Sequence, residues 1–360
     1  MPGAQRHRVG VIGHGVWGTH ALQESLARLD GVEIAAVTAH DRWGFGPSDD
    51  PVAAAREYAA SKGAAFREDW REVVEDPQID VLSVMASPAS KLEPILAGLE
   101  AGKSVVTDKP LAMDRHQALR AATAEAASRG VGMVLCGQHY SRAALALRRA
   151  LADGRLGEVK HVDVWLYFTG GVYPGFTPTA RYRSEVPGGE LTVIGCHAIQ
   201  TLLAVTGRRA ESVRCRVGQR FYDSYAAVGY EDWAEVLLAL EGGVTATVSV
   251  GRLPYRPAAA PPLLEVSGTR GFARLAGSEV TLWPGHETIA AEESTQDQYD
   301  RVFGEFLRAA ESGGPSPIGF DELAQVQQVL DGAYASAATG EPVRLSELPP
   351  AEARDPSSEV

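Results

Sequence analysis

Arg8-Val9-Gly10-Val11-Ile12-Gly13-His14-Gly15-Val16-Trp17-Gly18 is the stretch on which the reading of this chain turns. Arg8 to Ile12 is apolar enough for a short buried strand, and the residues from about Trp17 to Leu29 carry a helical pattern. Between them, Gly13 to Gly18 spells G-x-G-x-x-G. That spacing is weak alone but gains a mechanism where a strand precedes it and a helix follows. Gly13 permits the tight turn, Gly15 leaves bare backbone for a pyrophosphate, and Gly18 lets helix and strand pack closely. His14, Val16 and Trp17 fill the rest of a loop whose helix N-terminus offers free N–H groups to phosphate. The segment therefore predicts a dinucleotide site.

The end of the second strand, Val32 to Thr38, should show which dinucleotide it takes. An acid about 20 residues beyond the glycines bonds the ribose 2′-hydroxyl of NAD. Ala39 stands where that acid is expected, and Thr38, His40 and Arg42 surround it. A missing acid beside His40 and Arg42 favours the 2′-phosphate of NADP, while Asp41 keeps NAD open.

Working outward, strands and helices alternate. Helices are expected over Pro51 to Lys62, Asp69 to Glu75, Leu92 to Ala101 and Asp114 to Arg129. Strands are expected over Asp80 to Ala86, Lys103 to Thr107 and Val131 to Leu135. This α/β order predicts an N-terminal Rossmann domain, a doubly wound parallel sheet over residues 1–137.

After Gly137 the pattern changes. A helix over Arg142 to Ala152 leads to a long alternating strand, Val159 to Phe168, and another helix over Leu191 to Val205. Short strands follow: Trp233 to Leu240, Val244 to Val250, Leu263 to Val266, Ala273 to Leu275 and Val280 to Trp283. Gly242-Gly243 and Gly268 to Gly271 supply turns between them. Helical faces recur at Tyr299 to Ala310 and Leu323 to Ala337. Residues 138–348 are thus expected to form an α+β domain with a largely antiparallel open sheet, for substrate and oligomerisation, and 349–360 a flexible tail.

Composition bounds the function. A net charge of −12 argues against nucleic-acid and anionic-membrane partners, which need a basic surface. No apolar run reaches the length of a membrane span. The three cysteines, Cys136, Cys196 and Cys215, form no close pair, which fits a reducing, cytoplasmic setting. The histidines lack the spacing of a metal motif, so no metal is expected.

Four further segments together resemble one family, the glucose–fructose oxidoreductase, inositol dehydrogenase and rhizopine catabolism (Gfo/Idh/MocA) oxidoreductases. Ala101-Gly102-Lys103 through Asp108-Lys109-Pro110-Leu111-Ala112 resembles the family's AGKHV…EKPLA run, with Asp108 in place of Glu. Leu156-Gly157-Glu158-Val159 is similar to its LGEV turn, and Glu265 to Gly271 to its EVxGTxG hairpin. Gly188-Gly189 through Val193 to Gly195-Cys196-His197 resembles its GGGxLxDxGxH motif. The resemblance covers about Arg8 to Leu345. It implies NAD(P)-dependent hydride exchange with a sugar-like, cyclitol or polyol carbon, and pairing into a homo-dimer or homo-tetramer.

Candidate residues follow. Lys109 lies just past a parallel strand, where ligands of such sheets bind, and Pro110 limits its backbone. A lysine there can take a hydroxyl proton in alcohol oxidation, or polarise a carbonyl in reduction. Without the resemblance it reads equally well as a surface lysine in a turn. The resemblance adds His197 as a second catalytic group, but Val193 stands where the family's aspartate would pair with it. It places Ser87, Pro88, Asp108 and Gln138 beside the cofactor, with Lys91 near a position where the family often has histidine. It places His139 and Arg183 on the substrate side, where Tyr173 and Tyr182 are further candidates. The loss of the aspartate keeps two alternatives open: a non-catalytic cofactor- or sugar-sensing regulator, and an enzyme with tightly bound NAD running redox-assisted elimination or glycoside cleavage.

Overall fold

The computed structural model describes residues 6–13, 19–40, 50–136, 140–169, 186–254, 263–290 and 292–349. The chain divides into two compact units. Met1–Met113, Gln117–Leu135 and Ser294–Ala324 form the first, and Asp114–His116, Cys136–Glu293 and Gln325–Val360 the second.

The first unit opens with β1 (His7–Ile12), α1 (Thr19–Ala27), β2 (Val32–Thr38), α2 (Pro51–Lys62), β3 (Ala65–Arg67) and α3 (Trp70–Glu75). It continues with β4 (Val81–Val84), α4 (Leu92–Glu100), β5 (Ser104–Asp108), α5 (Arg115–Ala127) and β6 (Gly132–Leu135). The six strands pair in parallel in the order β3-β2-β1-β4-β5-β6. Helices cover both faces of such a sheet, so its strands are apolar throughout. Val9, Val11, Val37, Leu82, Val84, Val105 and Val134 accordingly have no exposed surface. Helix boundaries follow local chemistry. Asp50 caps α2 by accepting from the Val52 and Ala53 amides, Pro51 opens the helix, and left-handed Gly63 ends it. The expected parallel α/β fold is what forms, with the three-residue β3 added at its edge.

The second unit begins with α6 (Arg142–Ala152), β7 (Val159–Thr169), α7 (Glu190–Val193), α8 (Gly195–Thr206), β8 (Ala210–Gly218) and α9 (Asp223–Ala226). The strands β9 (Trp233–Leu240), β10 (Val244–Leu253), β11 (Leu263–Gly268), β12 (Phe272–Ala276), β13 (Glu279–Trp283) and β14 (Glu287–Ala290) follow. The next helix, α10 (Thr295–Ser312), belongs to the first unit, and α11 (Phe320–Thr339) and β15 (Val343–Arg344) follow it. The nine-stranded sheet has the order β14-β13-β12-β11-β7-β10-β9-β8-β15. Among the described residues β7 and β10 are its one parallel pair, and the other pairings are antiparallel. Alternation makes the sheet two-faced: Val162, Val164, Ala246, Val248, Val236 and Leu238 are buried, while their neighbours point away.

Three differences from the sequence expectation have local causes. The helix expected over Leu191 to Val205 is α7 and α8, divided at Ile194 (φ −104°). β8 and β14 form where no strand was expected; β8 carries Glu211, Arg214 and Arg216 along its exposed side, and β14 is only four residues long. α10 is part of the first unit: Arg28 Nη2 donates to Asp300 Oδ2 at 2.7 Å and Oδ1 at 2.8 Å, Arg28 Nε donates to Oδ1 at 3.2 Å, and Gln296 Nε2 donates to the Ser25 hydroxyl at 2.9 Å. The stretch 138–348 is therefore interrupted in space, with Ser294–Ala324 in the first unit. Of the expected tail, 349–360, residues 350–360 lie outside the described residues. Among the described residues no helix is long and apolar enough to cross a membrane.

Candidate cofactor site and active site

The order of the parallel sheet reverses between β1 and β4, and ligands of doubly wound folds bind at the carboxyl ends of the strands flanking such a switch. Gly13 closes β1 there with φ +79°. Its N–H donates to the Thr38 carbonyl at 3.0 Å, and Gln23 Nε2 donates to its carbonyl at 2.9 Å. A Cβ at Gly13 would lie 2.5 Å from the Met85 carbonyl oxygen, so side chain and backbone angle both exclude other residues. This bare-backbone turn at the switch point fits a dinucleotide pyrophosphate.

The neighbouring strand ends supply the other candidates. Thr38 is fully buried, so its contribution there is the carbonyl that receives Gly13. The His40 Nε2 stands 3.1 Å from the Ser90 carbonyl, with its ring edge-on to Trp70. Beyond β4, Pro88 is buried and the Ser87 carbonyl accepts the Ser90 and Lys91 amides at 3.0 Å each. The Ser87 and Ser90 hydroxyls meet at 3.0 Å. His14, Gly15, Val16, Trp17, Gly18 and Arg42 lie outside the described residues.

Lys91 decides the shape of the next strand end. Its side chain has no exposed surface. Nζ donates to Asp108 Oδ1 at 2.7 Å, to the Asp108 carbonyl at 2.8 Å and to the Pro110 carbonyl at 3.1 Å. An ammonium has three protons to give, and all three are used. Burying a cation is costly unless it is paired and fully bonded, and here it is both. The three acceptors bracket Lys109, which is half-buried and followed by a cis peptide to Pro110. Asp108, expected beside the cofactor, has one carboxylate oxygen committed to Lys91. The Thr107 hydroxyl donates to the Val84 carbonyl at 2.7 Å, tying β5 to β4 below the turn.

In the second unit Gly188-Gly189 opens α7 under tight packing. A Cβ at Gly189 would lie 2.2 Å from the Glu231 carbonyl oxygen. The Glu231 carboxylate accepts the Gly189 amide at 3.2 Å, the Leu191 amide at 3.0 Å and the Tyr334 hydroxyl at 2.7 Å. Burial pushes its pKa up, against the lowering effect of those donors. Glu190 is buried with Arg252, whose Nε donates to Oε1 at 2.6 Å, and accepts the Tyr225 hydroxyl as well. Glu190 is therefore committed within its own network.

Val193 and His197 are both half-buried, one helical turn apart across the α7–α8 break. Val193 carries no carboxylate, and the His197 Nδ1 stands 3.8 Å from the Cys136 thiol instead. A cavity of about 40 Å³ is lined by His197, Ala198, Thr201, Ser141 and Val164. Gln138, His139, Tyr173, Tyr182 and Arg183 lie outside the described residues. Sequence reading missed what Lys91, Glu231 and Cys136 do. Lys91 had one available signal: a lysine on the apolar approach to a helix, where a solvated side chain is out of place.

Comparison with known proteins matches residues 7–135 to the family profile described as "Oxidoreductase family, NAD-binding Rossmann fold" of GFO_IDH_MocA, and residues 144–274 to its C-terminal domain. The chain belongs to the Gfo/Idh/MocA family. Among curated relatives of this Gfo/Idh/MocA protein, a trans-1,2-dihydrobenzene-1,2-diol dehydrogenase of Bos taurus is 28% identical over 235 residues, 62% of this chain and 64% of that one. Inositol 2-dehydrogenase 2 of Saccharopolyspora erythraea is 25% identical over 245 residues, 67% of this chain and 66% of that one. The chain thus spans just under two thirds of these relatives' length. Among solved structures, a levoglucosan dehydrogenase in complex with NADH superposes with a TM-score of 0.82 at 18% identity, covering 95% of this chain and 99% of that one. An oxidoreductase domain protein from Kribbella flavida gives 0.80 at 21% identity, covering 95% and 100%. At these identities the superpositions establish the fold.

Proposed function

We propose that the protein is an NAD(P)-dependent oxidoreductase that interconverts CH–OH and C=O on a sugar-like, cyclitol or polyol carbon. The observation that carries this reading is Lys109, held by the buried Lys91–Asp108 pair at the carboxyl end of β5 beside the switch point. The named activities of the relatives, on inositol and on a dihydrodiol, support the substrate class.

When bound, a nicotinamide dinucleotide supplies the hydride acceptor or donor. Gly13 with the residues after it would hold the pyrophosphate. Lys109 Nζ takes the hydroxyl proton in oxidation or returns it in reduction. His197 binds the substrate and assists, without the carboxylate that would otherwise fix its tautomer. The experiment is a panel of polyols and keto-sugars followed by absorbance of the reduced cofactor. Lys109→Ala should lower kcat/KM by about a hundredfold or more, in the range of general acid–base catalysis. Unchanged turnover would remove Lys109 from the mechanism.

NADP is the favoured cofactor, since Ala39 leaves the end of β2 without an acid while His40 and Arg42 follow it in the sequence. Titrating both reduced dinucleotides should give the tighter binding for NADPH, and tighter NADH binding would reverse the assignment. The outer face of the nine-stranded sheet supports a homo-dimer or homo-tetramer. It carries a groove of about 560 Å³ lined by Trp165, Tyr167, Arg214, Arg216 and Leu237, the last 52% exposed.

A further inference from the structure

We propose that Cys136, Cys196 and His197 form a soft-metal site that takes one zinc ion, and that the bound ion stops His197 from accepting a proton from substrate. Cys136 is the first residue after β6, and Cys196 with His197 lies in the first turn of α8. Both thiols are buried, Cys136 to 3% exposure and Cys196 to 1%. The ligand atoms of the three residues all lie within 4.8 Å of one another, and Cys136 Sγ is 3.8 Å from His197 Nδ1. Tetrahedral zinc, with Zn–S of about 2.3 Å and Zn–N of about 2.0 Å, separates its ligand atoms by about 3.5–3.8 Å. The Cys136–His197 pair is thus near a bound geometry before any ion enters, and the widest spacing would close by at most about 1 Å.

The chemistry of the set selects the ion. Two thiolates and an imidazole suit a soft or borderline cation, and the trio contains no carboxylate to attract magnesium or calcium. Charge also closes. Each thiol releases its proton to solvent as its S–Zn bond forms, so one zinc ion and two thiolates leave no net charge in the buried position. Three protein ligands leave a fourth position open.

The inhibitory half rests on the reading of His197 as a substrate-side group. Once the Nδ1 lone pair holds zinc, the ring proton sits on Nε2, so His197 can donate a hydrogen bond to substrate but has no lone pair left to accept a proton. Zinc at one equivalent should then lower turnover, and a chelator should restore it.

Binding is tested without turnover. The full-length protein, stripped with a chelator, is titrated with Co2+ and followed for thiolate-to-cobalt charge-transfer absorption. One equivalent should produce the band, and Zn2+ should displace it. Cys136→Ser and Cys196→Ser should each weaken zinc binding by more than the roughly 10–100-fold that loss of an outer partner costs. Cys136→Ala and Cys196→Ala serve where a serine fails to fold. Absence of the cobalt band in the wild type, or an unchanged band in the folded variants, overturns the site. A band with zinc-insensitive turnover keeps the site and overturns the inhibition. Absence of turnover on every substrate bears on the proposed activity and leaves the cobalt result to decide the site.

Discussion

Lys91 and Asp108 show how much one buried pair decides. A cation with no exposed surface survives because three oxygens receive its three protons. Removing it leaves the Asp108 carboxylate, only 15% exposed, without its counter-charge. Lys91→Met should therefore destabilise the protein by about 3–5 kcal/mol, the usual cost of breaking a buried pair from one side. Urea unfolding checks this. The same variant releases the carbonyls on either side of Lys109, so kcat should fall in the fraction that remains folded. A variant as stable and active as the parent would show that the turn holds itself. Lys91 also illustrates what residue-level reading leaves out: the sequence places it beside Ser87 and Pro88, but its partners lie a strand away.

At the scale of elements, the Gly188-Gly189 turn depends on a residue far along the chain. Glu231 caps α7 and meets Tyr334 from α11. Burial raises the Glu231 pKa above its ordinary 4.5. A carboxyl raised on folding binds its proton more tightly in the native state. Its contribution to stability is full below the ordinary value and is lost as pH rises through the native value. Denaturant midpoints should decline across that window. In Glu231→Gln, which resembles the neutral form, the decline should flatten, and a persistent slope would assign it to another group. The helices and strands themselves were largely legible, because Asp50-Pro51, the Gly63 stop and the period-two run from Val244 to Val250 are local signals. The break at Ile194 was not, since an unbroken apolar stretch reads as one helix until packing divides it.

Over the whole molecule, the chain leaves the first unit after Leu135 and returns to it at Ser294. No composition change marks the return. α10 is an amphipathic helix whose apolar face says that it packs, and contacts such as Arg28–Asp300, Ser25–Gln296 and His7–Glu311 say on what. The outer sheet face poses the question of assembly. If copies associate there, Leu237→Arg sets a charge beside Arg214 and Arg216 on both sides of the interface. Light scattering should then report a smaller particle than the parent gives, and an unchanged mass would move the interface elsewhere.

The sequence by itself determined the doubly wound sheet, the position of the glycine turn and the placement of Lys109 at a strand end. These follow from backbone preference and apolar periodicity, which act over a few residues. Family membership was readable for the same reason, in short motifs kept in order. Tertiary structure alone decided that Lys91 is buried against Asp108, that Glu231 caps α7, and that Cys136 meets Cys196 and His197. Sixty residues separate Cys136 from Cys196 in the chain. Local pattern records which face of an element is apolar, but not which distant side chain the folded chain brings against it.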